Sequence, residues 1–142
     1  MTTRAERTIE VDGPIEDVWA FIADSGKRAN AISVVERFER LDEDGERVRW
    51  HIRLPIPLLS TTVAVDTEEI DHEPPNYVRF IGESSVLKVV GEHTLEGLDG
   101  RTRLTSRFTV DGRLPGVESF FKRNLDREFD NLESALIRAL DT

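Results

Sequence analysis

Chemistry in this chain rests on few side chains: three histidines, one tyrosine and sixteen arginines among 142 residues, with no cysteine to supply a thiolate or a disulfide. His93 follows Val89 and Gly91 at alternate positions of an extended run, so it shares their inward face, and Gly91 leaves room beside it. There it would orient a ligand carbonyl or exchange a proton near neutral pH, unless it is a core histidine satisfied by a neighbouring hydroxyl. Ser106 aims a hydroxyl the same way. No GxSxG elbow surrounds it and no activating base is identifiable, so it reads as a small wall residue. Tyr77 is the other side chain able to handle a proton. His51 falls on the polar face of its strand and His72 in a turn, and neither stands at metal-ligand spacing from a second histidine. No HExxH motif and no glycine-rich phosphate loop occur. Asp42-x-Asp44-Gly45 has the start of a calcium loop without its later ligands and reads as a hairpin turn. No metal and no cofactor are expected, and no catalytic constellation is identifiable.

The larger side chains sort by face. Trp19 belongs to the buried stripe of a helix and reads as core, whereas Trp50 sits mid-strand on an inward face. It would line a pocket wall for an aromatic or prenyl ligand, or fill the concavity of a sheet. Arg53, Arg79, Arg103 and Arg107 alternate with apolar residues, as on solvent faces of strands balanced by glutamates. One inward arginine would instead give an anionic ligand an anchor.

The elements that position these residues follow from periodicity and turn chemistry. A strand over Thr3 to Val11 leads to Asp12-Gly13-Pro14, where a helix starts with Ile15, Val18, Trp19 and Ile22 on one stripe. Asp24-Ser25-Gly26 caps a second short helix through about Ile32. Strands are then predicted over Ser33 to Leu41, Glu46 to Leu54, Leu59 to Asp71, Tyr77 to Gly82, Leu87 to Leu95 and Thr102 to Val110. Asp99-Gly100 gives the strongest hairpin signal among their connections. From Val117 through Leu140 the apolar residues Val117, Phe121, Leu125, Phe129, Leu132 and Leu136 recur at helical spacing. A helix of that length, roughly 37 Å, is long enough to cross a seven-stranded sheet.

This order of elements predicts one α+β domain over residues 1–142. A curved seven-stranded antiparallel sheet wraps around the long C-terminal helix, with two short helices after the first strand. The space between sheet and helix would be lined by Trp50, Ile52, Val63, Val65, Phe80, Val89, His93, Ser106 and Phe108 from strands, with Phe121, Leu125 and Phe129 from the helix. This lining is nearly uncharged, and it either encloses a ligand pocket or fills a core.

Composition narrows the partners. The 28 acidic and 19 basic residues leave a net charge of −9 with no run of Lys or Arg, which would repel phosphate backbones and anionic bilayers. Neither a nucleic acid nor stable membrane insertion is expected. Only Lys27, Lys88 and Lys122 are lysines, a bias that fits solubility in concentrated salt as well as a GC-biased coding sequence. Met1 to Ile15 contain no apolar core of a secretory signal, and no stretch reaches the roughly 20 apolar residues of a membrane helix. A cytoplasmic monomer or homodimer is the expectation.

The stretch from Val11-Asp12-Gly13-Pro14-Ile15-Glu16-Asp17-Val18-Trp19 to Asp24, together with the element order, resembles the helix-grip proteins of the START/Bet v 1-like (SRPBCC) superfamily, which implies the helix-grip fold for this chain. Within it the chain is most similar to the group that holds polyketide cyclase/dehydrase-like proteins and the G-type subunit of carbon monoxide dehydrogenase. Asp99-Gly100-Arg101-Thr102-Arg103-Leu104 resembles that group's penultimate hairpin, and Phe129-Asp130-Asn131-Leu132-Glu133 its last helix. The carbon monoxide dehydrogenase members tend to carry Pro-Gly after the second helix, where this chain has Ala31-Ile32-Ser33-Val34-Val35. They often extend into a membrane-tethering tail, which is not expected beyond Thr142. The resemblance implies a cavity for a small hydrophobic molecule such as a lipid, quinone, isoprenoid or polyketide.

Three functions follow as expectations. The first is binding or carriage of that small hydrophobic molecule. The second is a polyketide cyclase/aromatase or dehydratase, with His93 or Tyr77 handling a proton. The third is an accessory or assembly role like that of the carbon monoxide dehydrogenase members, which a large exposed apolar patch would support.

Overall fold

The computed structural model describes residues 2–56 and 62–141. Alternating side chains build β1 (Thr2–Asp12), and Pro14 then fixes the backbone ahead of α1 (Ile15–Ile22), whose Glu16 and Asp17 lie at the positive end of its dipole. The Asp24 carboxylate accepts from the backbone N–H groups of Gly26 at 2.9 Å and Lys27 at 3.0 Å, capping α2 (Ser25–Ala31). Six strands follow: β2 (Val35–Arg40), β3 (Arg47–Ile52), β4 (Val63–Glu73), β5 (Tyr77–Glu83), β6 (Leu87–Gly97) and β7 (Arg101–Gly112). Gly116, in the left-handed region at φ 95°, turns the chain into α3 (Val117–Leu140).

All seven strands form one antiparallel sheet in the order β1-β7-β6-β5-β4-β3-β2. Consecutive β1 and β2 thus stand at opposite edges, and α1 and α2 span the distance between them. The sheet curls around α3 as the element order predicted, giving the helix-grip architecture that the resemblance implied. The β6–β7 hairpin turns through Asp99 at φ 58° and Gly100 at φ 92°, the paired positive dihedrals that an Asp-Gly dipeptide favours.

Two apolar clusters lie beneath the sheet. One gathers Trp50, Val65, Phe80, Val89, Phe121 and Leu125, the other Val18, Ile22, Leu95, Leu104, Leu132 and Leu136. The outer face carries the charge. Arg107 lies between Glu6 on β1 and Glu92 on β6, and Arg103 between Glu10 and Glu96, each bridging to both neighbours. Exposed pairs of this kind contribute about 0–1 kcal/mol each, so they organise the surface more than they stabilise it.

Several local expectations need correction. On α1 it is Phe21 that is buried with Val18 and Ile22, while Trp19 is half-buried with its ring edge-on to His72 at 5.3 Å. His72 is inside β4, because Asp71, His72 and Glu73 continue the pairing with β5 past a register shift at Glu69/Asp71. β2 begins at Val35, since the Ser33 backbone N–H donates to Glu128 Oε2 at 2.9 Å instead of joining a ladder. Of the strand predicted from Leu59, residues 59–61 lie outside the described residues, and β4 is observed from Val63.

Gly91 shows what the curvature needs. It lies between Phe80 on β5 and Phe108 on β7, and a Cβ there would stand 2.4 Å from Phe80 Cε1 and 2.9 Å from Phe108 Cε1. The space beside His93 is therefore taken by the Phe80 ring. Replacing Gly91 by Ala should lower the free energy of unfolding by roughly 1–3 kcal/mol, because two buried rings must shift. Urea denaturation checks this, and an unchanged midpoint would show that the rings yield freely.

Candidate functional site

Between the concave face and α3 lies a cavity of about 50 Å³, counted as the space open to the centre of a water-sized sphere. By that measure one water needs roughly 10–15 Å³, so the space holds only a few heavy atoms, well short of the roughly 300–1,000 Å³ of ordinary ligand sites. The interior is neither a solid core nor a wide pocket.

The residues expected inward divide between two places. Trp50 and Ile52 of β3, Val65 of β4, Phe80 of β5, Val89 and His93 of β6, Phe108 of β7, and Phe121 and Leu125 of α3 all line this cavity. Val63 packs against its apolar cluster. Ser106 and Phe129 line a smaller neighbouring space with Arg7, Ile9 and Leu132. The rings stand mostly edge to face: Trp50 to Phe80 at 5.8 Å, Phe80 to Phe108 at 6.3 Å and His93 to Phe108 at 5.8 Å.

His93 is 1% exposed, and its Nδ1 lies 2.8 Å from Ser106 Oγ across the β6–β7 pair. Burial, reinforced by the positive charge of Arg28, pushes its pKa down to about 3, so the ring is neutral at pH 7. Nε2 is the nitrogen that Ser106 does not engage.

Two charged side chains complete the wall, contrary to the nearly uncharged lining expected. Arg28 of α2 is 6% exposed; its Nη1 donates to the Ile22 carbonyl at 2.6 Å and its Nη2 to Glu69 Oε1 at 2.9 Å. The guanidinium carbon lies 5.3 Å from the centre of the Phe80 ring. Glu69, at the β4 bulge, also lies 3.2 Å from His72 Nδ1 through its second oxygen. Glu128 of α3 is 9% exposed and accepts from the Ser33 N–H and hydroxyl and from Asn131 Nδ2 at 3.4 Å. Glu128 was legible: with Phe121, Leu125 and Leu132 it occupies one helical stripe, where a carboxylate is out of place. Arg28 carried no such signal, since its seven-residue helix has no apolar period and its partner is 41 residues away.

The remaining candidates lie elsewhere. Tyr77 points to the outer face, because β5 turns Val78 and Phe80 inward; its hydroxyl donates to Glu92 Oε2 at 2.5 Å. Burial and that carboxylate raise its pKa to about 12, and it does not reach the cavity. His51 Nε2 pairs with Glu39 Oε1 at 2.8 Å on the polar side of β3.

Neutral burial of His93 makes a pH-dependent contribution to stability. The unfolded residue takes up a proton below about 6.5, whereas the folded one stays neutral to about 3, so stability falls as pH drops through that window. The loss traceable to His93 should reach roughly 3 kcal/mol by pH 4. Urea titrations of the wild type and His93→Gln at pH 7 and pH 4 should show the smaller decline in the variant; equal declines would mean that native His93 is already protonated.

A family model described as polyketide cyclase/dehydrase and lipid transport matches residues 2–136. A START superfamily protein from Mycobacterium smegmatis superposes with a TM-score of 0.76 at 14% identity, covering 97% of both chains. A conserved protein from Geobacillus kaustophilus gives 0.77 at 17% identity over 98% of this chain and 95% of its own. The Zhui aromatase/cyclase from Streptomyces sp. R1128 gives 0.68 at 19% identity over 99% and 92%. No curated protein matches the sequence.

Proposed function

The chain belongs to the polyketide cyclase/dehydrase and lipid transport family, and on that premise we propose that it binds a small hydrophobic molecule between its sheet and α3. The observation that carries this reading is the cavity itself, a space walled by aliphatic and aromatic side chains from five strands and the helix. Lipids, quinones, isoprenoids and polyketide-like chains are the ligand classes that suit such a wall. At about 50 Å³ the space must widen as a ligand enters, and rotation of Trp50, Phe80 and Phe108, whose edges meet there, supplies the volume.

Binding is favoured over catalysis by what surrounds His93. A catalytic histidine needs a group that orients it and a second polar group at the reacting atom. His93 has Ser106 on one nitrogen, and Tyr77, the other proton-handling candidate, lies on the outer face. The other charged groups of the wall are already engaged, Arg28 by the Ile22 carbonyl and Glu69, and Glu128 by Ser33 and Asn131. The assembly reading finds less support, because the large apolar side chains exposed among the described residues are three, Leu41, Ile70 and Ile137, too few for a large apolar patch.

Trp50 is a built-in reporter. In a Trp19→Phe variant it is the only tryptophan, so a ligand entering the cavity should change its emission and raise the melting temperature together. At a hundredfold excess over Kd, the stabilisation should be about 2.7 kcal/mol. A library of fatty acids, prenylated quinones, isoprenoids and aromatic polyketides tests this by fluorescence and thermal shift. Silence from both across the whole library would overturn the reading.

A further inference from the structure

We infer that the cavity selects an uncharged ligand bearing one hydrogen-bonding oxygen, a ketone or alcohol in preference to the corresponding acid, and that Arg28 is the side chain that reads this oxygen. The inference rests on the binding function proposed above and narrows it. Arg28, His93 and Glu128 are the polar members of the described lining; every other side chain there is aliphatic or aromatic. A ligand's body therefore has apolar neighbours wherever it lies, and its polar end has these three and the indole N–H of Trp50 to meet.

The charges on that wall are already balanced against an anion. Arg28 offers the only positive charge among the described lining residues, and Glu69 answers it at 2.9 Å with both side chains 7% exposed. Glu128 adds a carboxylate held by Ser33 and Asn131, neither of them cationic. An incoming carboxylate would lose its hydration, find the guanidinium neutralised and share the cavity with Glu128. A neutral oxygen avoids all three penalties.

Hydrogen-bonding capacity for a neutral oxygen remains. A guanidinium carries five N–H donors, and in Arg28 one nitrogen serves the Ile22 carbonyl and another Glu69. Its guanidinium is held over the Phe80 ring, which fixes the direction of the donors left over. His93 contributes Nε2, since Nδ1 is engaged by Ser106. Because the ring is neutral, it adds no charge to attract an acid.

Acetophenone, benzoate and ethylbenzene share one shape and differ in the property at issue. Titration of the ¹⁵N-labelled protein at pH 7.5 should give acetophenone a Kd at least tenfold below that of benzoate, with the Arg28 side-chain N–H resonance moving in the acetophenone series. Arg28→Lys keeps the charge and removes the planar fork, and should weaken acetophenone about tenfold while leaving ethylbenzene unchanged. Glu128→Gln should improve benzoate severalfold with little effect on acetophenone. Benzoate binding the wild type as tightly as acetophenone would overturn the inference, and so would equal losses of acetophenone and ethylbenzene in Arg28→Lys. If none of the three probes moves a resonance of a cavity residue, the binding function itself falls. Should either variant fail to fold, the wild-type comparison of the three probes still decides.

Discussion

The buried pair between Arg28 and Glu69 is the interaction on which the arrangement of the interior depends. It joins α2 to the bulge of β4, two elements far apart in the chain. Its guanidinium also ties back to the end of α1 through the Ile22 carbonyl and covers one face of Phe80. Removing one member of such a pair costs about 3–5 kcal/mol, because the other is left charged and without water. Replacing both with apolar groups is often neutral, so persistence of the pair is better explained by what the charge does inside than by stability alone.

What it does is set the polarity of an otherwise apolar space. The positive charge helps keep His93 neutral, the aromatic rings beside it are held edge to face, and Glu128 approaches from the opposite element, α3. Tight packing normally leaves few voids larger than a water. Here a few-water space survives among Trp50, Phe80, Phe108 and the helix, in a fold that also accommodates the Phe80 ring over Gly91 by omitting a side chain. The cavity is thus small and bounded by aromatic rings that meet edge to face.

The family and the fold class were legible because both depend on local signals. Asp99-Gly100 fixed a hairpin through its paired positive dihedrals, Asp24 fixed a helix start through its carboxylate, and the α3 stripe declared a long amphipathic helix. Alternation in the strands and the stripe on α3 together assign the inward residues, and nine of them meet at the cavity. The same alternation, followed through β5, puts Tyr77 outside, so its register excludes it from the proton chemistry that its hydroxyl suggests. A turn is the natural reading for His72 because Pro74-Pro75 follows it closely, whereas the ladder with β5 runs up to Glu73.

The sequence by itself determined the order of elements, the inward face of most strand residues and the acidic outer shell, since these follow from periods of 2 and 3.6 residues and from turn chemistry. Only the tertiary structure decided that Phe80 occupies the space over Gly91, that Ser106 belongs to His93, and that an arginine from a short helix and a glutamate from a long one enter the apolar wall. Those facts depend on distances between residues far apart in the chain, Arg28 to Glu69 and Ser33 to Glu128, which no local period encodes.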